Sequence, residues 1–388
     1  MEFQLTDTQR EMQLTVRKLA RERFRARAQS AMDGNFPWEN MRDLAGIGVL
    51  GMAVPQAYGG AEMSILDTAL VLEEIAKVCY VTAMAALGEV GTQTRILANL
   101  APDTIKRRFL PRVVQGDAIL AICMTEPHAG TDLAAMRTNA RTASNGLTID
   151  GTKTLISRAD VAAGFVVFTR VNGVEGHGGI GCVFVEGGTP GLDVTGTYHT
   201  MGGERLFEVQ FRDCRIPNEN LLVERDGLKT LLSIFNTQRC LNPAISLGLA
   251  GGALEESLIY MRSRQAFGQS ISEFQGMRWK VAEMYRDIEA ARSLLYRACI
   301  NADPFPDPIE AAIAKITCNE MSLRVTSEAI QIHGGYGFVD EYPVSRLYRG
   351  ARYGSLGGGT TETLKEMVGK ALLNRFDDAG GLLMFNDL

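Results

Sequence analysis

The sequence predicts a multidomain α+β chain, helical at both ends and β-rich in the middle. Three observations predict it. Apolar residues recur at helical spacing in the first third, as in 66–78. Short β-branched and aromatic runs separated by glycine-rich turns fill the middle. Long helical patterns then return at 229–263, 275–301, 308–332 and 360–374. A chain of 388 residues has room for two or three domains of ordinary size. The change of texture divides it into an N-terminal helical domain (1–120), a central β-barrel or sandwich (121–227) and a C-terminal helical domain (228–388).

Taken in order, the first helix follows Leu5, Thr6 and Asp7. Arg17, Arg21 and Arg25, spaced four apart, read as its wet stripe rather than as a transit peptide. Pro55, Gly59 and Gly60 mark a turn ahead of the 66–78 helix. In the middle, 147–153, 165–171, 182–185 and 207–211 have the composition of strands.

Bulk properties narrow the function. Apolar content is 46%, charged content 22% and net charge −5, so the chain reads as globular with no electrostatic case for a nucleic-acid partner. No run approaches the length of a membrane span and no apolar signal core opens the chain, so a cytoplasmic protein without a membrane partner is expected. The seven cysteines are scattered without a C-x-x-C pair and read as reduced thiols. Four dispersed histidines give no reason to expect a metal.

Several motifs carry chemistry. Gly51 to Gly60 reads G-x-x-x-P-x-x-Y-G-G, and Cys123 to Asp132 reads C-M-T-E-P-H-A-G-T-D. Arg264 stands before Phe267-Gly268, with Phe274-Gln275 downstream. Gln331 to Gly337 reads Q-x-x-G-G-x-G, and Gly357-Gly358-Gly359-Thr360 follows Tyr348-Arg349. Singly, each is more often a turn or a packed aromatic than a site. In this order they resemble the acyl-CoA dehydrogenase superfamily over nearly the whole chain. That resemblance implies a central β domain between helical domains, the last a four-helix bundle, and an FAD-dependent oxidoreductase acting on acyl-CoA thioesters.

The resemblance also implies roles. Ile122, Met124, Thr125, Gly130, Thr131, Ile156 and Ser157 would surround the flavin, whose pyrimidine edge needs donors and whose phosphates need N–H groups that glycine leaves accessible. Arg264, Phe267, Phe274 and Gln275 would hold pyrophosphate and adenosine, an arginine fork suiting a pyrophosphate. Gln331, Gly334 and Gly335 would reach the cofactor of a neighbouring copy, which implies a homotetramer or dimer. Thr360 and Glu362 complete the cofactor set. Thr131, Met84, Phe235, Arg239 and Gly359 would contact the thioester substrate, carried by CoA or a carrier protein.

The sequence departs from the family at the catalytic step. The loop usually reads Y-E-G-T, its glutamate taking the α-proton, and here that position is Gly358. A second known base position holds Gln238, whose amide does not titrate near neutral pH. Glu89, with Asp67 and Glu73 as further candidates, is the possible substitute, set against the plainer reading of a solvated helix face. Leu155 stands where tryptophan is usual, which weakens the case for a partner flavoprotein. Ala266 replaces a cofactor-bonding threonine, a loss of about 1 kcal/mol.

Several details resemble the branch containing 3-sulfinopropionyl-CoA desulfinase, which also lacks the glutamate. The arginine that holds the sulfinate there aligns with Met84, and an apolar residue cannot neutralise such a group. The sequence therefore favours a neutral, cyclic or unsaturated acyl group, oxidised or oxygenated with molecular oxygen in the volume the three glycines leave. C–S cleavage like the desulfinase and dehydrogenation by a relocated base are the alternatives.

Overall fold

The protein is represented by a computed structural model, which describes residues 4–378. Thr6 opens α1 (Asp7–Leu19) with a capping box, its hydroxyl accepting from the Gln9 N–H while Gln9 reaches back to the Thr6 N–H. The helix widens at Ala20–Phe24 and passes into α2 (Arg25–Arg27). The arginine stripe is largely exposed, as expected, but it is also paired. Arg17 forks onto buried Glu74 at 2.8 and 2.9 Å, Arg21 meets Glu255 at 2.8 Å and Arg25 meets Glu256 at 2.5 Å, so the stripe docks this helix onto two others.

Five further helices complete the N-terminal part: α3 (Trp38–Gly46), α4 (Ile65–Ala76), α5 (Tyr80–Val90), α6 (Thr92–Leu100) and α7 (Asp103–Gln115). Every residue of α5 is buried, as a helix apolar on all sides should be.

The central part is one eight-stranded mixed sheet: β1 (Ile119–Cys123), β2 (Asn139–Ala143), β3 (Gly146–Ser157), β4 (Ala162–Val171), β5 (Ile180–Glu186), β6 (Leu192–His199), β7 (Arg205–Ile216) and β8 (Leu221–Val223). Its order is β6-β7-β3-β2-β4-β5-β8, with β1 pairing parallel to β4. The β3–β7 register slips between Lys153 and Ile156, where Leu155 takes φ +57. This bulge lies just before the end of β3, and Arg158 beyond it bonds carbonyls of α5.

The C-terminal part contains α8 (Leu228–Ser263), a short hairpin of β9 (Gln265–Ala266) and β10 (Gln269–Ser270), then α9 (Gln275–Ile300), α10 (Pro308–His333), α11 (Pro343–Gly354) and α12 (Thr361–Asp378). Helices α8, α9 and α10 pack on one another, with α11 and α12 against α10. No helix was expected at α11, where Arg346, Arg349 and Arg352 interrupt a short apolar face formed by Val344, Leu347 and Ala351. The two helical parts are not separate units: one continuous core runs from Val16 and Leu72 to Leu247, Leu295 and Ala351.

Candidate active site

A cavity of about 520 Å³ opens where α5, the ends of β1 and β3, and the 356–360 loop meet. Three walls define it, each built differently.

The first wall comes from the sheet: Ile122, Met124, Thr125, Gly130, Thr131, Ile156 and Ser157 line it together. A buried ion pair fixes this wall from behind. The Glu126 carboxylate accepts from the Arg137 and Thr138 N–H groups at 2.7 and 2.9 Å and from Lys153 Nζ at 2.9 Å. Lys153 also donates to the Met124 carbonyl at 3.0 Å. Burial pushes the Glu126 carboxyl up, but Lys153 and the N–H donors outweigh it and hold it below its ordinary value. The Thr125 and Ser157 hydroxyls make no hydrogen bond within the described residues, leaving two free donors at the cavity. At Gly130 a Cβ would meet nothing within 4 Å, so the backbone there is open to a ligand.

The second wall is the glycine loop with Phe235 and Gln238. Gly358 and Gly359 adopt φ +74 and +98, the left-handed region that glycine enters freely. No side chain holds this loop from within. Lys315, fully buried on α10, donates to the Gly354 and Gly359 carbonyls at 2.8 and 3.0 Å, and Asn319 donates to Gly354 at 2.7 Å. Burial, helped by nearby Arg239, lowers the Lys315 ammonium to about 7. A Cβ on Gly358 would lie 3.6 Å from Lys315 Cε and 3.7 Å from Gln238 Cγ, so the space is free and bordered by no carboxylate. The three glycines do not all leave open volume, as the sequence had suggested. Gly357 yields its space to the Tyr353 ring, 2.2 Å from where a Cβ would sit.

The third wall joins Tyr80, Met84 and Gly88 of α5 to Arg158 and Glu204. Tyr80 donates to Glu204 Oε1 at 3.0 Å, and Arg158 Nη1 donates to the Met84 and Ala85 carbonyls at 3.0 and 3.1 Å. Burial raises the Glu204 carboxyl, while Tyr80 and Arg158 pull it back. Among the described residues of the cavity wall, Glu204 is the one carboxylate.

Sequence reading missed Tyr80, Arg158, Glu204, Tyr353 and Lys315. No spacing rule marks a lone arginine after a strand or a lysine inside a helix. The candidate substitutes for the base fall elsewhere. Glu89 is fully buried, accepts the Leu120 N–H at 3.2 Å and is absent from the cavity wall; burial raises it to about 8, against the pull of Arg158 and that N–H. Glu73 is buried against Arg292 and Tyr296 at 2.8 and 3.0 Å. Asp67 caps α4 and accepts from Gln9. Glu89 and Glu73 are not on the solvated face expected of them, because each has a partner fixed by tertiary packing, while Asp67 is partly exposed at the start of α4.

Apart from Thr360, the remaining expected residues lie outside the cavity. Arg239 bonds Asn236 and lines a second, open depression of about 800 Å³. Thr360 closes the loop wall, while Glu362 is exposed in the first turn of α12. Arg264, Phe267, Gln275, Gln331, Gly334 and Gly335 are exposed and Phe274 is half-buried. All seven are away from the cavity.

The sequence matches the acyl-CoA dehydrogenase N-terminal domain over residues 6–117, the middle domain over 121–214 and the C-terminal domain over 225–373. The chain belongs to the acyl-CoA dehydrogenase family. It is 35% identical to a 3-sulfinopropanoyl-CoA desulfinase of Advenella mimigardefordensis, over 96% of this chain and 95% of that protein. Its fold superposes on butyryl-CoA dehydrogenase from Megasphaera elsdenii with a TM-score of 0.91 at 31% identity, covering 96% of this chain and all of that one. The prolyl acyl carrier protein oxidase AnaB matches with a TM-score of 0.88 at 25% identity, over 95% of this chain and 100% of that chain.

As a member of the acyl-CoA dehydrogenase family the protein is a flavin-dependent oxidoreductase whose cofactor is FAD. The cavity suits that group: unspent Thr125 and Ser157 hydroxyls, open backbone at Gly130 and a wall braced by Glu126 and Lys153 are what a flavin edge requires.

Proposed function

We propose that the protein transforms an acyl thioester, carried by CoA or a carrier protein, with FAD and without a carboxylate base on the 356–360 loop. Gly358 carries this reading. Dehydrogenation of a thioester removes a proton from the α-carbon and a hydride from the β-carbon, and the base must stand within hydrogen-bond reach of that proton. At Gly358 there is only space bordered by Lys315 Cε and the Gln238 side chain. Lys315 donates to two carbonyls, and Glu204 sits on another wall under Tyr80. When bound, FAD supplies a two-electron acceptor. The chain's own residues orient it through Thr125 and Ser157, line the acyl group with Met84, Phe235 and Gly359, and meet the carrier end with Thr131 and Arg239.

Arg264, Phe267, Phe274 and Gln275 complete the cofactor site with Gln331, Gly334 and Gly335 of a second copy in a homotetramer or dimer. Supporting this, Phe267 is 97% exposed and Phe338 89% exposed in the single chain. Seven buried free cysteines support a cytoplasmic setting. Among the described residues no helix is long and apolar enough to cross a membrane.

Two chemistries fit a site without the base. One oxidises or oxygenates a cyclic or unsaturated acyl group with molecular oxygen, using the open space at Gly358 and Gly359. The other breaks a β-carbon–sulfur bond: water supplies a proton to the carbon and hydroxide to the departing sulfinyl group, sulfite leaves, and no net redox change occurs. Similarity to the Advenella desulfinase supports this second reading. In either case anaerobic butyryl-CoA should leave the flavin's visible absorbance oxidised over many minutes. Fast bleaching would overturn the proposal. Oxygen-18 incorporation and sulfite release then separate the two chemistries.

A further inference from the structure

Four glycines make room for polar side chains at the α5 end of the cavity. A Cβ on Gly88 would fall 1.8 Å from Arg158 Nη1, and one on Gly202 or Gly350 would fall 2.6 or 2.7 Å from the Tyr80 ring. The fourth is Gly357, whose space Tyr353 fills. A larger residue at any of them would displace the side chain that now fills its space. Arg158 is the cation at this end. Nη1 is spent on two α5 carbonyls, buried Nε has no partner, and no carboxylate lies within ion-pair distance of the guanidinium among the described residues.

We infer that Arg158 is a specificity residue that receives an anionic group, a carboxylate or a sulfinate, at the far end of the acyl chain. This rests on the acyl-thioester reading above and replaces the neutral acyl group inferred from Met84. The charge absent from position 84 arrives from β3, on that residue's own carbonyl. Neither neighbouring acid pairs directly with the guanidinium. Glu89, on the face of α5 turned away from the cavity, has its carboxyl raised to about 8, chiefly by burial, so it is neutral at pH 7. Burial raises the Glu204 carboxyl against the pull of Tyr80 and Arg158, and its Oε1 is occupied by the Tyr80 hydroxyl. Arg349, the neighbouring wall cation, is paired with Asp340 at 2.9 Å, whereas Arg352 on α11 has no partner among the described residues and is the natural control.

The test titrates the FAD-loaded wild-type protein with succinyl-CoA, 3-sulfinopropionyl-CoA and butyryl-CoA, following the flavin's visible spectrum and thermal stability. Both anionic thioesters should bind about tenfold or more tightly than butyryl-CoA, the value of one charge-assisted contact. A preference for only one identifies carboxylate or sulfinate as the group received. Arg158→Gln should erase the preference, Arg158→Lys should restore part of it and Arg352→Gln should leave it. Equal binding of all three thioesters by the wild type overturns the inference, whatever the folding of the variants, and so does loss of the preference in Arg352→Gln alone. If no thioester perturbs the flavin or the stability, the acyl-thioester reading itself fails.

Discussion

The sheet wall and the glycine loop face the same cavity and are held in opposite ways. At the sheet wall, side chains do the holding: Glu126 gathers two N–H groups and an ammonium in the interior, and Lys153 donates to the Met124 carbonyl just beyond β1. In the loop, the three central residues that face the cavity are glycines. Its backbone is fixed by Lys315 and Asn319 reaching across from α10. A wall whose own side chains carry its order leaves a legible motif. A wall held by a remote helix leaves mainly glycines, whose order comes from elsewhere in the fold.

Breaking the sheet wall should have the largest effect. Lys153→Met leaves Glu126 charged and buried without its counter-ion, a cost of about 3–5 kcal/mol. Thermal unfolding should show the loss, and the variant should purify with little FAD. A variant with wild-type Tm and full flavin content would mean that the two N–H groups alone hold the wall.

In the loop, Lys315→Met should cost about 1–3 kcal/mol, because the Gly359 carbonyl is orphaned while Gly354 keeps Asn319. The pH dependence gives a second readout. With the folded ammonium near 7 and the unfolded one near its ordinary 10.5, the unfolded chain binds the extra proton between these values. Wild-type stability should therefore gain from this group as pH rises from 7 to 10.5, and the methionine variant should lose that gain.

Glu89→Gln tests the helix behind the cavity with the opposite sign. The folded carboxyl keeps its proton up to about 8 while the unfolded one loses it near 4.5. Its contribution is complete below 4.5 and fades as pH rises through 8, so the wild type should lose about 1.4 kcal/mol per pH unit relative to the glutamine variant across that window. Parallel stability curves would place the carboxylate in contact with water.

The smallest effect is expected at Gly358→Glu. The Cβ fits, but a side chain at φ +74 costs about 1 kcal/mol. Because this backbone is not one a glutamate prefers, butyryl-CoA should bleach the variant's flavin at most slowly under anaerobic stopped flow, as it leaves the wild type's oxidised. Rapid bleaching would mean that the loop lacks only its carboxylate.

The three-part architecture was legible because its signals are local. Helical spacing in 66–78 and around α8 to α10, and strand composition in the middle, need no partner to be read. Gly358 and Gln238 were legible as the absence of a titratable group. Helix α11 was not, since three arginines obscure its apolar face, and neither was the docking role of Arg17, Arg21 and Arg25, whose acidic partners lie far away in the chain. Glu89 and Glu73 were misplaced for the same reason: a carboxylate on a helical pattern looks solvated until its partner comes from another element.

By itself, the sequence determined the fold family and the cofactor, because ordered motifs are properties of the chain. Only the tertiary structure decided what the cavity contains. Lys315 lies beneath the glycines, Tyr353 occupies the space of one of them, and Arg158 lies against the α5 carbonyls. These placements depend on gaps that Gly88 and Gly357 leave for side chains from other elements. Close packing settles that kind of fit, and no local pattern in the sequence encodes it.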